Sequence, residues 1–532
     1  MAINARKLSA SALLSAACTV PLTGQILAQE GAITGEVIDG GGRPIWRASL
    51  SLSAAGATTQ RTMTDREGKF LFKQVSSGRY RITVSAAGYY EEENARDRAD
   101  SYRAGETVTI RLSKGGVITG RVTNQSGEPL VGLKVRAFRV RDEKGAPVKS
   151  RESYDWESDD RGMYRLFGLK PGAYLVAAED NKLGFYLPSP YRFNTTNWYP
   201  SGVRETSVEV PVAALSVTEN INILYRAQRG YSISGTVAVK SGGAPGTFST
   251  VNLIDRQSGL LLQSTSTSGQ QSGFALYGAA DGEYEIEAEA PGQPGQSRMI
   301  SPRQRVKVNG GDVGGLQLSL SSLGLIRGKI LVEPPNEGSC CKPFALSELF
   351  LEAAKESREG MDQRFTHAET VPDLQGAFIL LNLVIGQYRL NLNGLGDHWY
   401  IKQLSGALDD SGLAPVGVAG RSPEVIITLA PGAATLTGKT TMKSQVYLVP
   451  TGQPGRLKVT QVRVTRAQAD GVFTIRHLAP GSYRIFSRVM RGNEEEKGIS
   501  VEELPRLKKE AEAKGLLVEL KSCQQLTGVK LP

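Results

Sequence analysis

Few residues in this chain of 532 could do chemistry, and each group suggests a different kind. The three histidines are His367, His398 and His477. None opens a His-x-x-Glu or HExxH pattern, the spacing that would place two ligands and a base around zinc. No Gly-x-Ser-x-Gly elbow exposes a serine nucleophile. Beyond residue 28 the cysteines are Cys340, Cys341 and Cys523. Vicinal cysteines without a nearby histidine do not suit a zinc site, so no metal and no cofactor is expected. In an oxidising compartment Cys523 can pair with one of the vicinal two, and Cys341–Cys523 is the expected disulfide. An odd number leaves one thiol over. Residues 433–440 end in Gly438-Lys439-Thr440 and mimic a phosphate loop. A phosphate loop, however, needs a strand before it and a helix after it. Gly438 falls where a strand begins, so no nucleotide is expected.

The densest binding candidate is aromatic. Phe185, Tyr186, Tyr191, Phe193, Trp198 and Tyr199 lie among Pro188, Pro190 and Pro200. Exposed rings stack on the apolar faces of sugars, and Arg192, Asn194 and Asn197 could meet the hydroxyls. Tyr186, Tyr191, Arg192, Asn197, Trp198 and Tyr199 are therefore the candidate carbohydrate site. The competing reading is that these rings glue a long loop onto neighbouring structure. A second cluster, Asp397-His398-Trp399-Tyr400, falls at the corresponding place further on, and its recurrence favours the structural role for both.

These residues are positioned by a repeat. Gly-x-Tyr recurs at Gly78/Tyr80, Gly172/Tyr174, Gly282/Tyr284, Gly386/Tyr388 and Gly481/Tyr483. Ten residues before each glycine stands Gly68, Gly162, Ser272, Gly376 or Gly471. Such self-similarity marks an array of about five small modules. Within residues 33–112, Ile33-Thr34-Gly35-Glu36-Val37 alternates, as do Ala48-Ser49-Leu50-Ser51-Leu52, Phe70/Phe72, Tyr80/Ile82/Val84 and Val108/Ile110/Leu112. Asp65-x-x-Gly68 is a turn between strands. Period-two alternation with frequent turns predicts all-β sandwiches. Each repeated tyrosine occupies the first inward position after a turn, where its ring fills the core and its hydroxyl reaches backbone. Ser500 and Glu503 form a capping box ahead of a helix over 502–513, expected to cover an edge of the last module. Linkers of a few residues predict a semi-rigid rod.

The ends and the charge bound the setting. Arg6 and Lys7 precede an apolar stretch over 8–20, with a cleavage point near Ala28, which reads as a secretory signal. Cys18, after Leu14-Ser15-Ala16-Ala17, is the rival site for a lipid anchor. No later stretch is long enough to span a membrane. The formal net charge of +10 would favour anionic polysaccharide or lipid headgroups. The basic residues are dispersed, however, and an exported chain would rarely meet nucleic acid.

The motifs Ile33-Thr34-Gly35-x-Val37, Gly42-x-Pro44, Asp65-x-x-Gly68-x-Phe70-x-Phe72 and Gly78-x-Tyr80-x-Ile82-x-Val84 resemble the carboxypeptidase regulatory-like domain. The resemblance is strongest at 31–114 and 115–180, good at 433–490, and looser at 229–322 and 323–432. It implies seven-stranded, Ig-like or transthyretin-like β-sandwiches without catalytic activity. The Tyr-Arg-Gly-Ser end of a transthyretin-related hydrolase is missing. The expected organisation is a signal at 1–28 and modules at 29–114, 115–228 (with the aromatic insertion), 229–322, 323–432 and 433–532 (with the helix). The expected role is that of an exported, non-enzymatic structural, adhesion or interaction protein, periplasmic, outer-membrane-associated or secreted. Its partner would be an envelope protein or, on the second reading, a polysaccharide.

Overall fold

In the computed structural model the described residues run from 31 to 532, apart from 55–56, 77, 93–101, 149–152, 181–190, 240–247, 269–270, 294, 336–339, 342–344, 357–362, 418–423, 452–456 and 491–498. The signal segment, Cys18, Phe185 and Tyr186 lie outside them. No helix among the described residues is long and apolar enough to cross a membrane.

Among the described residues the chain is all-β with one α-helix. Its first module holds β1 (Gly31–Asp39), β2 (Ser49–Ala54), β3 (Ala57–Met63), β4 (Lys69–Val75), β5 (Arg79–Ser85), β6 (Tyr89–Tyr90), β7 (Tyr102–Arg103) and β8 (Thr107–Lys114). They form two sheets in the orders β4-β1-β8-β6 and β3-β2-β5-β7. β1 and β8 are parallel, with Gly35 opposite Val108 and Val37 opposite Ile110. Alternate residues of both sheets face inward, so Ile33, Val37, Leu50, Phe72, Tyr80 and Leu112 fill one core. Four further cores of the same build follow along the chain. The fifth module has seven strands, in sheets of three and four. The first and fourth have eight, because the return between the Gly-x-Tyr strand and the last strand pairs at both sandwich edges. In the third module Met299–Ile300 pairs with strands of both sheets and joins them into one eight-stranded sheet.

The repeated residues have repeated physical work. Every Gly-x-Tyr tyrosine is buried and donates its hydroxyl to the carbonyl four residues upstream. The pairs are Tyr80 to Ser76 (3.1 Å), Tyr174 to Lys170 (2.7 Å), and Tyr284 to Ala280, Tyr388 to Val384 and Tyr483 to Ala479 (each 2.8 Å). This is a tyrosine corner, closing the turn into the central strand. Gly172 in that turn has φ +149°, and a Cβ there would stand 2.2 Å from the Arg141 carbonyl oxygen. The module-opening glycine answers a second constraint. A Cβ on Gly35 would lie 2.0 Å from the Val108 oxygen and 2.7 Å from the Phe70 ring. Gly438 repeats this against Val529 and Phe473, which is why the phosphate-loop mimic is a strand.

The helix departs from expectation in its position. A 3₁₀ turn at Val501–Glu503 leads into α1 (Leu504–Lys514), and the Ser500 amide donates to Glu503 Oε2 at 3.1 Å. α1 buries Leu504, Leu507 and Ala511 on the outer face of the sheet, against Tyr447, Val449 and Phe486, rather than along an edge. The strand Ser444–Pro450 reads Val-Tyr-Leu-Val without alternation, the pattern of a strand covered on both faces.

Replacing a corner tyrosine by phenylalanine keeps the ring and removes the hydroxyl that the turn carbonyl accepts. Tyr388→Phe, at a fully buried position, is expected to cost about 1–2 kcal/mol, read by chemical denaturation. An unchanged midpoint would count against the corner.

Candidate functional site

The aromatic segment lies at the joint between the second and third modules. Asn197–Trp198 pairs with the strand Gly172–Glu179, setting Trp198 opposite Ala177. Trp198 is 4% exposed and packs against Phe138 (centroids 5.3 Å apart), Leu175, Ala177 and, from the third module, Leu260. The Arg204 guanidinium covers the ring at 5.4 Å. Asn197 is buried: its Nδ2 donates to the carbonyls of Thr195 (3.0 Å) and Arg226 (3.2 Å), and its Oδ1 accepts the Arg226 amide (2.8 Å). Tyr191 and Tyr199 pack against the second core, Tyr191 edge-on to Tyr225 at 5.5 Å. Phe193 is exposed but meets Tyr277 of the third module at 5.2 Å, and Arg229 lies over its ring at 5.6 Å. Arg192 lies over Tyr277 at 5.1 Å.

Among the described rings, Trp198 does not stand on an open face, because the continuous apolar run Tyr174-Leu175-Val176-Ala177-Ala178 is covered on both sides and Trp198 is its outer cover. Trp399 of the second cluster is likewise buried.

The structure instead brings together a set of joints that the sequence did not reveal. Each module carries a left-handed residue in its fourth long strand, at Gln74, Gly168, Gly278, Asn382 and His477. Each sits at or beside a break in register, a β-bulge. From the second module onward this residue docks on the module before it. Gly168 lies against Gly88, whose carbonyl also accepts the Gly115 amide at 2.9 Å. Gly278 lies against the Asn194 carbonyl so closely that a Cβ would come to 2.2 Å. Asn382 Oδ1 accepts the Arg298 amide at 2.7 Å, and its own amide donates to Ser297 Oγ at 3.0 Å. His477 Nδ1 stands 2.9 Å from the Trp399 carbonyl. Burial chiefly holds the His477 imidazole below its ordinary pKa, which keeps it neutral in this contact.

The last joint carries a covalent tie. Cys340, not Cys341, is bonded to Cys523, with Cα atoms 6.0 Å apart. Cys341 turns to the linker instead, donating to the His398 carbonyl (3.1 Å) and accepting the Gly432 amide (3.2 Å).

The joints do not make a straight rod. Arg79 Nε donates to the Glu348 carbonyl at 2.9 Å, Arg103 faces the Glu348 carboxylate at 3.5 Å, and Arg81 pairs with Glu369 at 2.6 Å. These contacts hold the first module on the fourth, so the array turns back on itself. Short linkers fix each joint but say nothing of its direction.

Residues 32–113 match the model of the carboxypeptidase regulatory-like domain. That match covers the first module. The other four modules repeat its tyrosine corner and its bulge. A comparison with curated proteins finds no match. Among solved structures, the Bacillus anthracis TIE protein is 14% identical, with 54% of this chain aligned to 50% of that one at a TM-score of 0.15. This chain thus spans half the length of the TIE protein. The minor pilin GBS52 of Streptococcus agalactiae is 14% identical over 36% of this chain and 94% of its own, at 0.20. The major pilin subunit of Bacillus cereus is 10% identical over 79% and 98%, at 0.14. Scores this low say nothing of function.

Two outcomes follow. Trp198→Ala is expected to cost about 3 kcal/mol and to raise hydrogen exchange at residues 258–263, with no change in retention on polysaccharide. Retention lost without faster exchange would favour the sugar platform. The Arg81–Glu369 contact adds a pH dependence. Burial alone would raise the Glu369 pKa, but the hydrogen bond from His367 and the Arg81 charge outweigh it and leave the carboxyl below its ordinary value of 4.5. A depressed carboxyl stabilises above the unfolded value and loses that contribution as pH falls through the folded one. Acidification through the range below pH 4.5 should loosen the first module from the fourth, read as a rising radius of gyration. The pair is partly exposed, so its share is at most about 1 kcal/mol.

Proposed function

We propose that the chain is an exported, non-enzymatic bacterial envelope protein whose modules form an oriented scaffold for contacts with other envelope proteins. The observation that carries this reading is the repeated joint. Four successive modules dock through the same bulge, and the first is held on the fourth, so the array has a set shape rather than a loose string. The side chains that chemistry would recruit take part in that shape. His477 closes the last joint, Cys340 and Cys523 tie it, and Trp198 is the cover of the second. A disulfide between modules suits an oxidising compartment. The apolar stretch over 8–20 supplies a route there.

Fractionation with intact-mass measurement tests the reading. The expected product is found in periplasm, outer membrane or medium, begins near residue 29, and has Cys340 and Cys523 oxidised. A product lipidated at Cys18 keeps the envelope location and changes only the anchor. Full-length, reduced protein in the cytoplasm would overturn the proposal.

A further inference from the structure

Beyond the joint contacts, the fourth and fifth modules enclose a cleft of about 1020 Å³. Its lining is basic. Arg463, Lys458, Arg389 and Lys402 face Glu352 as the one carboxylate among the described lining residues. Most of these groups are already engaged. Arg389 pairs with Glu356, Lys402 with Glu333, and Glu352 with His367. Arg463 and Lys458 are not. Neither side chain makes a hydrogen bond or an ion pair with the described residues.

Arg463 is the unusual member. It starts the edge strand Arg463–Arg466 and lies opposite Leu448, a core residue, so its side chain leaves the strand on the inner face. There it is partly buried beside Tyr483 and His477, and burial pulls its guanidinium pKa downward. A guanidinium taken out of water without an acceptor is unfavourable, and its five donors in a planar fork match an oxyanion. Asn391 and Gln403 on the cleft wall offer neutral donors and acceptors for hydroxyl groups. An inward-pointing charge can also serve only to protect an edge strand. The second unpaired cation, Lys458 on the same cleft, argues for an anion.

We propose that this cleft binds an oxyanion, a carboxylate or phosphate group on a small hydroxyl-bearing ligand, with Arg463 as its charge partner and Lys458 as the second cation. The site is separate from the scaffold reading and does not depend on it.

Calorimetric titration of the intact mature protein with D-glucuronate and with inorganic phosphate tests this, with glucose as the uncharged control. The expected result is one-to-one binding of at least one anion and none of glucose. Arg463→Gln should weaken that binding by at least about tenfold with an unchanged thermal transition. Glucuronate alone would identify a carboxylate ligand, and phosphate alone a phosphoryl one. Should Arg463→Gln not fold, Lys458→Gln must weaken the same binding. No binding of either anion, or binding indifferent to both substitutions, overturns the proposal.

Discussion

The hydrogen bond from each corner tyrosine to the carbonyl four residues before it governs more than its own turn. The bulge residue lies two positions before that carbonyl and six before the tyrosine in every module, from Gln74, Ser76 and Tyr80 to His477, Ala479 and Tyr483. Closing the corner therefore fixes where the bulge residue stands. From the second module onward, that residue is what the preceding module meets. Folding of a module and orientation of its joint are in this way one event. A buried hydroxyl–carbonyl bond is worth about 1 kcal/mol net, but leaving the carbonyl unpaired would also free the turn that presents the joint.

The joints share a position and differ in chemistry. Two use backbone contact, at Gly168 and at Gly278, and at Gly278 the approach is so close that only glycine permits it. One uses an amide side chain and one an imidazole. Larger surfaces reinforce them: Trp198 and its neighbours at the second, the disulfide and the outer face under α1 at the last. The Arg81–Glu369 contact between the first and fourth modules is of another kind, partly exposed and electrostatic. It is the part of the arrangement that salt and acid should reach first.

The sandwich was legible because its signals are local. Alternation, the Asp-x-x-Gly turn and Gly-x-Tyr all act within a dozen residues. Asp65 Oδ1 accepts the amides of Glu67 and Lys69, and Asp159 and Asp373 do the same. The joints were not legible. Glutamine, glycine, asparagine and histidine share no side-chain pattern, and each partner lies in another module. The burial of Trp198 left a readable trace in the unbroken apolar run 174–178, as the seat of α1 did in 446–449; such runs announce a strand covered on both faces. Cys340 and Cys341 are adjacent, so composition and spacing could not say which of them faces Cys523. The bend of the array depends on four joint directions, which no single module encodes.

Small-angle X-ray scattering of the intact mature protein at neutral pH is the most direct test of the joints and of the bend they produce. The account predicts a profile that fits the folded-back arrangement, with the first module against the fourth, and a larger maximum dimension for Arg81→Glu. A rod-like profile for the unaltered protein, unchanged by that substitution, would contradict it.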